Sequence, residues 1–297
     1  MCLQNESLNG APGQSADGAN NTVFGHPRDY LNKRFVYAVI SQRAHGLSIG
    51  INLTPDHHCN FDCAYCEVDR DRPVRDREVD IAILLSELDE LLLMAKEGRM
   101  REISWLRNVP DELLELKEVA FSGDGEPTLC PKFREAVEAV VHRRAQEQHP
   151  FKLVLVTNTT GLDMPDVQRA LRLFASWDEI WVKLDAGTQP YMDRINRPSI
   201  TLQQVLENMH SIAKSRPVVV QSLFPLLDGI EPPTEEIEEY GRRLLELKQA
   251  GAQISLVQIY SAHRPPHRPN CAHLPLKALS DIARRVRRDT GLRVEVF

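Results

Sequence analysis

The sequence contains no run of 18 apolar residues, so no transmembrane helix is expected from it. Nor does it open on a basic stretch followed by an apolar one, the pattern of a secretory leader. Residues 1–22 are instead rich in Asn, Gly, Ser and Ala, too polar to build a core, and read as a disordered tail. On these absences the chain is expected to be cytoplasmic, where thiols stay reduced. Cysteine is scarce, with six in 297 residues. Cys2, Cys130 and Cys271 follow no ligand spacing and read as free thiols rather than as metal ligands. Positive charge is also short, the formal net charge being −6. It gathers at the end of the chain, where residues 261–297 hold eight Lys/Arg against three Asp/Glu. The run Arg284-Arg285-Val286-Arg287-Arg288 sits on an expected helix, either as a solvated face or as a patch for RNA or another anion. The acidic remainder repels phosphate, which favours the solvated face.

The other three cysteines stand together as Cys59-Asn60-Phe61-Asp62-Cys63-Ala64-Tyr65-Cys66, a C-x3-C-x2-C run. Three thiolates on one short loop suit three irons of a [4Fe–4S] cluster, and no nearby cysteine completes the set. A cluster built only to carry electrons has every iron closed by protein, whereas one open iron is built to bind a ligand. Two other readings compete. Cys63 and Cys66 match a redox dithiol, although that motif carries two thiols in a strand-to-helix setting. A zinc site would recruit His57 or His58 as fourth ligand, although zinc ligands usually come as two separated pairs.

Strand and helix patterns alternate along the rest of the chain. Strands are expected at 47–54, 119–122, 151–157, 180–184, 218–223 and 254–260, with a further possible strand at 293–297. Helices are expected at 80–98, stopped by Gly98, and at 131–149, 165–174, 201–214, 234–250 and 276–290. Thr201 or Ser199 is the expected cap of one helix and Thr234 of another, where Glu235, Glu236 and Glu238 suit the positive end. Residues 99–118 form a part-helical insertion. Six strand–helix units imply a parallel sheet with right-handed crossovers, an α/β fold of the partial (β/α)6 TIM-like barrel kind. Chemistry in such barrels sits at the C-terminal ends of the strands, and the polar motifs fall there. The expected organisation is the tail, a core over 23–265, and a C-terminal helical extension over 266–297 packed on it.

The second strand is followed by Ser122-Gly123-Asp124-Gly125-Glu126-Pro127-Thr128, the third ends Thr157-Asn158-Thr159, and the fourth carries Lys183-Leu184-Asp185-Ala186-Gly187. Lys183 and Asp185 alternate with apolar residues and share a face, either lining a cofactor or pairing with each other. Gln221 and Gln258 are expected to face the barrel mouth. Gln258, Tyr260, His263 and Arg264 are candidates for substrate contact, and His263 also for proton transfer.

The cysteine run with its aromatic resembles the signature of the radical S-adenosylmethionine (radical SAM) superfamily. The resemblance spans about residues 24–297, through Q-R-A-H-G before the cysteines, then S-G-D-G-E-P, V-K-L-D-A-G, R-I-N-R-P and Q-I-Y-S-A-H-R-P-P. The chain resembles the small stand-alone Fe–S oxidoreductases related to the wyosine-base synthases of transfer RNA. It lacks the second cysteine triplet of those synthases. Asp124 also stands where a glycine or small residue is usual. The resemblance implies a [4Fe–4S] cluster on Cys59, Cys63 and Cys66 and SAM as cofactor. It places SAM contacts at Tyr65, Gly125, Glu126, Asn158, Lys183 and Asp185. It also implies an external one-electron reductant of the flavodoxin or ferredoxin type, no membrane role, and hydrogen abstraction from a small molecule, RNA or protein substrate. Kinship with base-modifying enzymes, a glycyl-radical activase, and a non-catalytic Fe–S or zinc protein are the alternative functions.

Overall fold

A computed structural model describes residues 28, 30–148, 150–262 and 266–297. The expected tail over 1–22, His263 and Arg264 lie outside the described residues. In chain order the strands are β1 Val36–Ser41, β2 Gly46–Ile51, β3 Leu116–Phe121, β4 Lys152–Thr157, β5 Glu179–Lys183, β6 Val218–Leu223, β7 Pro225–Leu227, β8 Ile254–Tyr260, β9 Cys271–His273 and β10 Val294–Val296. The α-helices are α1 Ile81–Lys96, α2 Asp111–Leu114, α3 Phe133–Arg144, α4 Pro165–Leu171, α5 Gln189–Ile195, α6 Leu202–Ser215, α7 Thr234–Gln249 and α8 Leu276–Thr290.

Eight strands form one sheet in the order β1-β2-β3-β4-β5-β6-β8-β10. The ladder is parallel from β2 to β10, and β1 runs antiparallel to β2. The six parallel strands β2–β6 and β8 with their helices are the six expected units, curled into a partial barrel. Alternation along the strands sorts the side chains. Ala120, Val154, Trp181 and Val219 pack together inside the curl, with Val156 and Leu256 against them. Ile49, Val119, Leu155, Val182 and Val220 face outward into the main core beneath the helices. Inward-facing positions nearer the C-terminal ends become polar: Ser122, Lys183, Gln221 and Gln258.

Local chemistry sets the element ends. Asp80 caps α1 by accepting from the amides of Ala82 (3.0 Å) and Ile83 (3.1 Å). Leu84, Leu88, Leu91 and Leu92 form its buried stripe. Burying each contributes about 2 kcal/mol. Gly98 ends the turn at φ 69°, where a side chain would be strained. Thr201 and Gln204 make a reciprocal capping box on α6. On α7 the expected cap is corrected: Pro233 holds that position, and no side chain bonds the helix end. Glu236 also has a different task. It accepts from the amides of Gly187 and Thr188 and from the Thr188 hydroxyl, tying α7 to the loop after β5.

Three elements went unread in the sequence: β1, α5 and the small β7–β9 ribbon. The insertion before β3 is part-helical as expected. Residues 266–297 do more than pack a helix on the core. They also supply β10, hydrogen-bonded to β8 at the sheet edge. The two sheet edges, β1 and β10, share no ladder among the described residues. Side chains of the β1–β2 turn reach across instead: the Arg43 guanidinium lies 4.5 Å from the centre of the Tyr260 ring, and the His45 and Phe297 rings are 6.0 Å apart. No helix among the described residues is long and apolar enough to cross a membrane.

Candidate functional site

The cysteine loop follows β2 and lies across the C-terminal ends of the strands. Its backbone is held from three sides. The amides of Asp62 and Ala64 donate to the carbonyls of Asn196 (3.0 Å) and Ile195 (2.7 Å), and that of Ser199 donates to Asn60 (3.1 Å), so the R-I-N-R-P segment is a backing strip for the loop. The His267 amide donates to Cys66 at 2.8 Å, and Arg268 and Arg197 both pair with Asp62. On the third side the Glu126 amide donates to His58 at 3.1 Å. Gly125 is required there, because a Cβ at that position would come within 2.0 Å of the His58 carbonyl oxygen. What Gly125 lets close is the cysteine loop itself.

Cys59, Cys63 and Cys66 open onto a pocket of about 360 Å³ inside the curl, a size suited to a small-molecule site. Tyr65, Gly125, Glu126, Asn158, Lys183 and Tyr260 line the same pocket. Thus nine of the candidate residues meet at one place. Burial pushes the Cys59 thiol up to about 11 and the Cys63 thiol up to about 12, so binding metal must displace their protons. Nitrogen donors wait at both sulfurs: Asn196 Nδ2 lies 3.4 Å from Cys63 Sγ, and the Phe61 amide 3.5 Å and Asn158 Nδ2 3.8 Å from Cys59 Sγ. Such donors stabilise thiolate and set the potential of an iron–sulfur centre. A single zinc ion fits poorly. Its thiolate sulfurs would sit about 3.8 Å apart. Among the described residues the three cysteines do not form a set of ligand atoms within 4.8 Å of one another, with or without His57 and His58.

Glu126 is buried and hydrogen-bonded inside the protein. It accepts from the Thr128 hydroxyl and the Thr157 hydroxyl (both 2.6 Å), from the Thr128 amide (3.1 Å) and from the Asn158 amide (2.6 Å). Burial raises its pKa, and those donors oppose the rise. The carboxylate therefore sews the ends of β3 and β4 together while one edge lines the pocket. Asn158, which it orients, also donates to Asn60 at 2.9 Å.

Asp185 and Gln258 do not line the pocket. Gln258 accepts from Gln221 Nε2 at 2.9 Å, so these two partner each other. Asp185, only 3% exposed, accepts from the Leu223 amide (2.8 Å), Asn196 Nδ2 (2.9 Å) and the Tyr65 hydroxyl, and pairs with Lys183 Nζ at 3.0 Å. Lys183 also donates to the Tyr260 hydroxyl at 2.9 Å. Burial alone would lower the Lys183 pKa, but Asp185 and Tyr260 reverse this and leave it raised. The ammonium is charged and presented between the Tyr65 and Tyr260 rings, 5.2 and 4.8 Å from their centres.

Sequence reasoning passed over Arg28, Tyr30, Asn52 and Asn196. Asp124 is explained by the first three: Arg28 and the Tyr30 hydroxyl (2.9 Å) bind its carboxylate, and Asn52 Nδ2 donates to it at 2.8 Å. Arg28 reaches Glu67 beside the cysteines as well, at 2.8 Å. The deviation from a small residue at 124 thus has local partners that restrain this loop. Asp124 itself carried the only sequence signal.

Deeper in the pocket lies Glu118, 2% exposed, which accepts from the Ser48 hydroxyl at 3.1 Å and lies 3.8 Å from Lys152 Nζ. Burial pushes its carboxyl from 4.5 up to about 7. The folded state therefore binds a proton that the unfolded state releases, and stability is lost as pH rises from 4.5 to 7. The expected loss is about 3 kcal/mol across that window. Glu118→Gln should flatten it, as urea unfolding of both proteins at several pH values would reveal. A wild type whose stability does not fall there would contradict the placement.

The family model of the radical SAM superfamily matches residues 54–244. A UPF0026 protein of Helicobacter pylori strain J99 is 23% identical over 241 residues, covering 79% of this chain and 70% of its own length. A UPF0026 protein of Synechocystis is 30% identical over 180 residues, covering 59% and 58% respectively. Among solved structures, the wyosine synthase TYW1 with a lysine-pyruvate adduct bound superposes with a TM-score of 0.53 at 16% identity, over 91% of this chain and 81% of that one. Streptococcus suis SuiB bound to S-adenosylmethionine gives 0.53 at 12% identity, over 86% and 49%. At such identities these two likenesses speak for the partial barrel alone. The match over most of the chain, on the cysteine loop and the strands that frame it, makes this protein a member of the radical SAM superfamily, whose cofactors are a [4Fe–4S] cluster and SAM.

Proposed function

We propose that this protein is a radical SAM enzyme that reductively cleaves SAM and uses the resulting 5′-deoxyadenosyl radical to take a hydrogen atom from a small organic substrate. The observation that carries the reading is the shared pocket, with three cysteine thiols at one end and a buried, charged Lys183 between two tyrosines at its side. When bound, the cluster supplies the electron, from an external reductant of the flavodoxin or ferredoxin type, and its open iron holds SAM. The chain's own residues bind and orient. Cys59, Cys63 and Cys66 hold iron, and Asn196 and Asn158 hydrogen-bond their sulfurs. Lys183 would offer an ammonium to the SAM carboxylate, Glu126 and Asn158 would serve its amino end, and Tyr65 would supply an aromatic wall for adenine. Asp185 acts through Lys183 and Tyr65. Apolar Ala120, Val156 and Trp181 exclude water from the interior.

A small substrate is favoured over RNA at the basic helix, because the arginines of that run have intramolecular partners. Arg284 pairs with Asp281, Arg285 with Glu238 and Arg288 with Asp289, while Arg287 donates to the Val294 carbonyl. Added transfer RNA should leave the protein's mobility unchanged at low salt; a shift that fades steeply with salt would select the RNA reading.

The direct test is anaerobic: reconstitute with iron and sulfide, add dithionite and SAM, and quantify 5′-deoxyadenosine. Formation above the cluster-free control is expected. A four-iron protein that binds SAM yet forms none, even with extracts supplying substrate, would refute the assignment.

A further inference from the structure

Four cationic side chains line the pocket, and three are already engaged by the protein. Arg28 is held by Asp124 and Glu67, Arg70 donates to the Phe61 carbonyl, and Lys183 is held by Asp185 and Tyr260. Arg43 differs. Among the described residues it makes neither a hydrogen bond nor an ion pair, although it is half-buried and its guanidinium stacks 4.5 Å from the centre of the Tyr260 ring. A guanidinium carries five donors in a planar fork shaped for carboxylate or phosphate, and stacking on an aromatic face fixes the plane of that fork.

Its position adds a second argument. Arg43 lies in the β1–β2 turn, where the two unpaired sheet edges meet, beside the His45–Phe297 contact. Tyr260 is held from the other side by the Lys183 hydrogen bond. One ring thus separates the charge assigned to SAM from a charge that, among the described residues, has no polar partner. Glu118, which also lines the pocket, is within electrostatic reach of Arg43 without bonding it.

We propose that Arg43, laid on the Tyr260 ring at the seam of the half-barrel, binds an anionic group of the substrate, a carboxylate or a phosphate. This rests on the reading of the pocket as a joint SAM and substrate site. The anion is gripped at the seam while the rest of the substrate extends inward past Tyr260 toward the cysteine loop.

The test titrates the reconstituted full chain, with and without SAM, against methyl phosphate and against acetate, in wild type, Arg43→Lys and Arg43→Gln. At least one anion should saturate a single site on the wild type. Its affinity should fall tenfold or more in Arg43→Gln and by less in Arg43→Lys. SAM affinity should stay within twofold throughout. The tighter of the two anions tells phosphate from carboxylate. The proposal is overturned if neither anion saturates one site, or if Arg43→Gln binds as the wild type does. A lower melting temperature in Arg43→Gln with anion affinity unchanged would likewise overturn it, making Arg43 a clasp for the seam. Failure of the wild type to bind SAM would sink the reading of the site instead, while anion binding lost with Arg43 would still bear out the seam.

Discussion

Cys63→Ala is expected to abolish iron binding and SAM cleavage together, leaving less than one iron per chain and lowering 5′-deoxyadenosine formation at least a thousandfold. Cys63 is the middle cysteine of the run, and its thiol lies beside Asp185 and Asn196. Without it a cluster would keep two protein thiolates on one loop, too few to hold a cubane. The fold should survive, because no strand or helix depends on this side chain. Far-ultraviolet circular dichroism and thermal unfolding of the metal-free variant should match the metal-free wild type. Iron analysis and product quantification then isolate the loss to the site. A variant with near-normal iron and turnover would show that the ligand set has been misread.

Asp185→Ala should produce the largest loss of stability among single changes at the site, about 3–5 kcal/mol by denaturant unfolding, because it strips a buried cation of its partner. Four groups lose an acceptor at once: the Lys183 ammonium, the Leu223 amide, the Tyr65 hydroxyl and the Asn196 side-chain amide. The change also acts on function, although Asp185 does not line the pocket. Lys183 would relax from its place between the rings, and Asn196 would lose one of the bonds that aim it at Cys63. SAM affinity should therefore fall even at temperatures where the variant remains folded. Asp185→Asn keeps the size and part of the hydrogen bonding and should lie between. A cost below 1 kcal/mol for Asp185→Ala would mean that Lys183 finds solvent easily and that the buried pair is not built as described.

Much of this was legible in the chain because its signals are local. The runs that became β6, β8 and α8 match their expected limits, since β-branched runs and the amphipathic α8 pattern leave little choice. Alternation through Val182-Lys183-Leu184-Asp185 correctly placed both charges on one face, and the structure shows them paired with each other. What escaped depends on distance along the chain. Asp124 looked like a mild departure, and its meaning lies in Arg28, 96 residues away, and Asn52, 72 residues away. Asn196 reads as one residue of R-I-N-R-P, yet it touches Cys63 across a separation of 133 residues. The strand β1 was overlooked because it pairs antiparallel at the edge, outside the strand–helix rhythm that organised the reading. Arg43 was similarly hidden: its turn is ordinary in sequence, and only the curl of the sheet brings it to Tyr260.

The central claim is that SAM sits on an open iron of a cluster held by Cys59, Cys63 and Cys66. The measurement that tests it most directly is electron–nuclear double resonance on the reduced, reconstituted protein with SAM labelled at its amino nitrogen and carboxylate oxygens. Hyperfine coupling of both labels to the cluster is the result this account predicts, and it should persist in Arg43→Gln. A four-iron spectrum that shows no coupling to either label would contradict it.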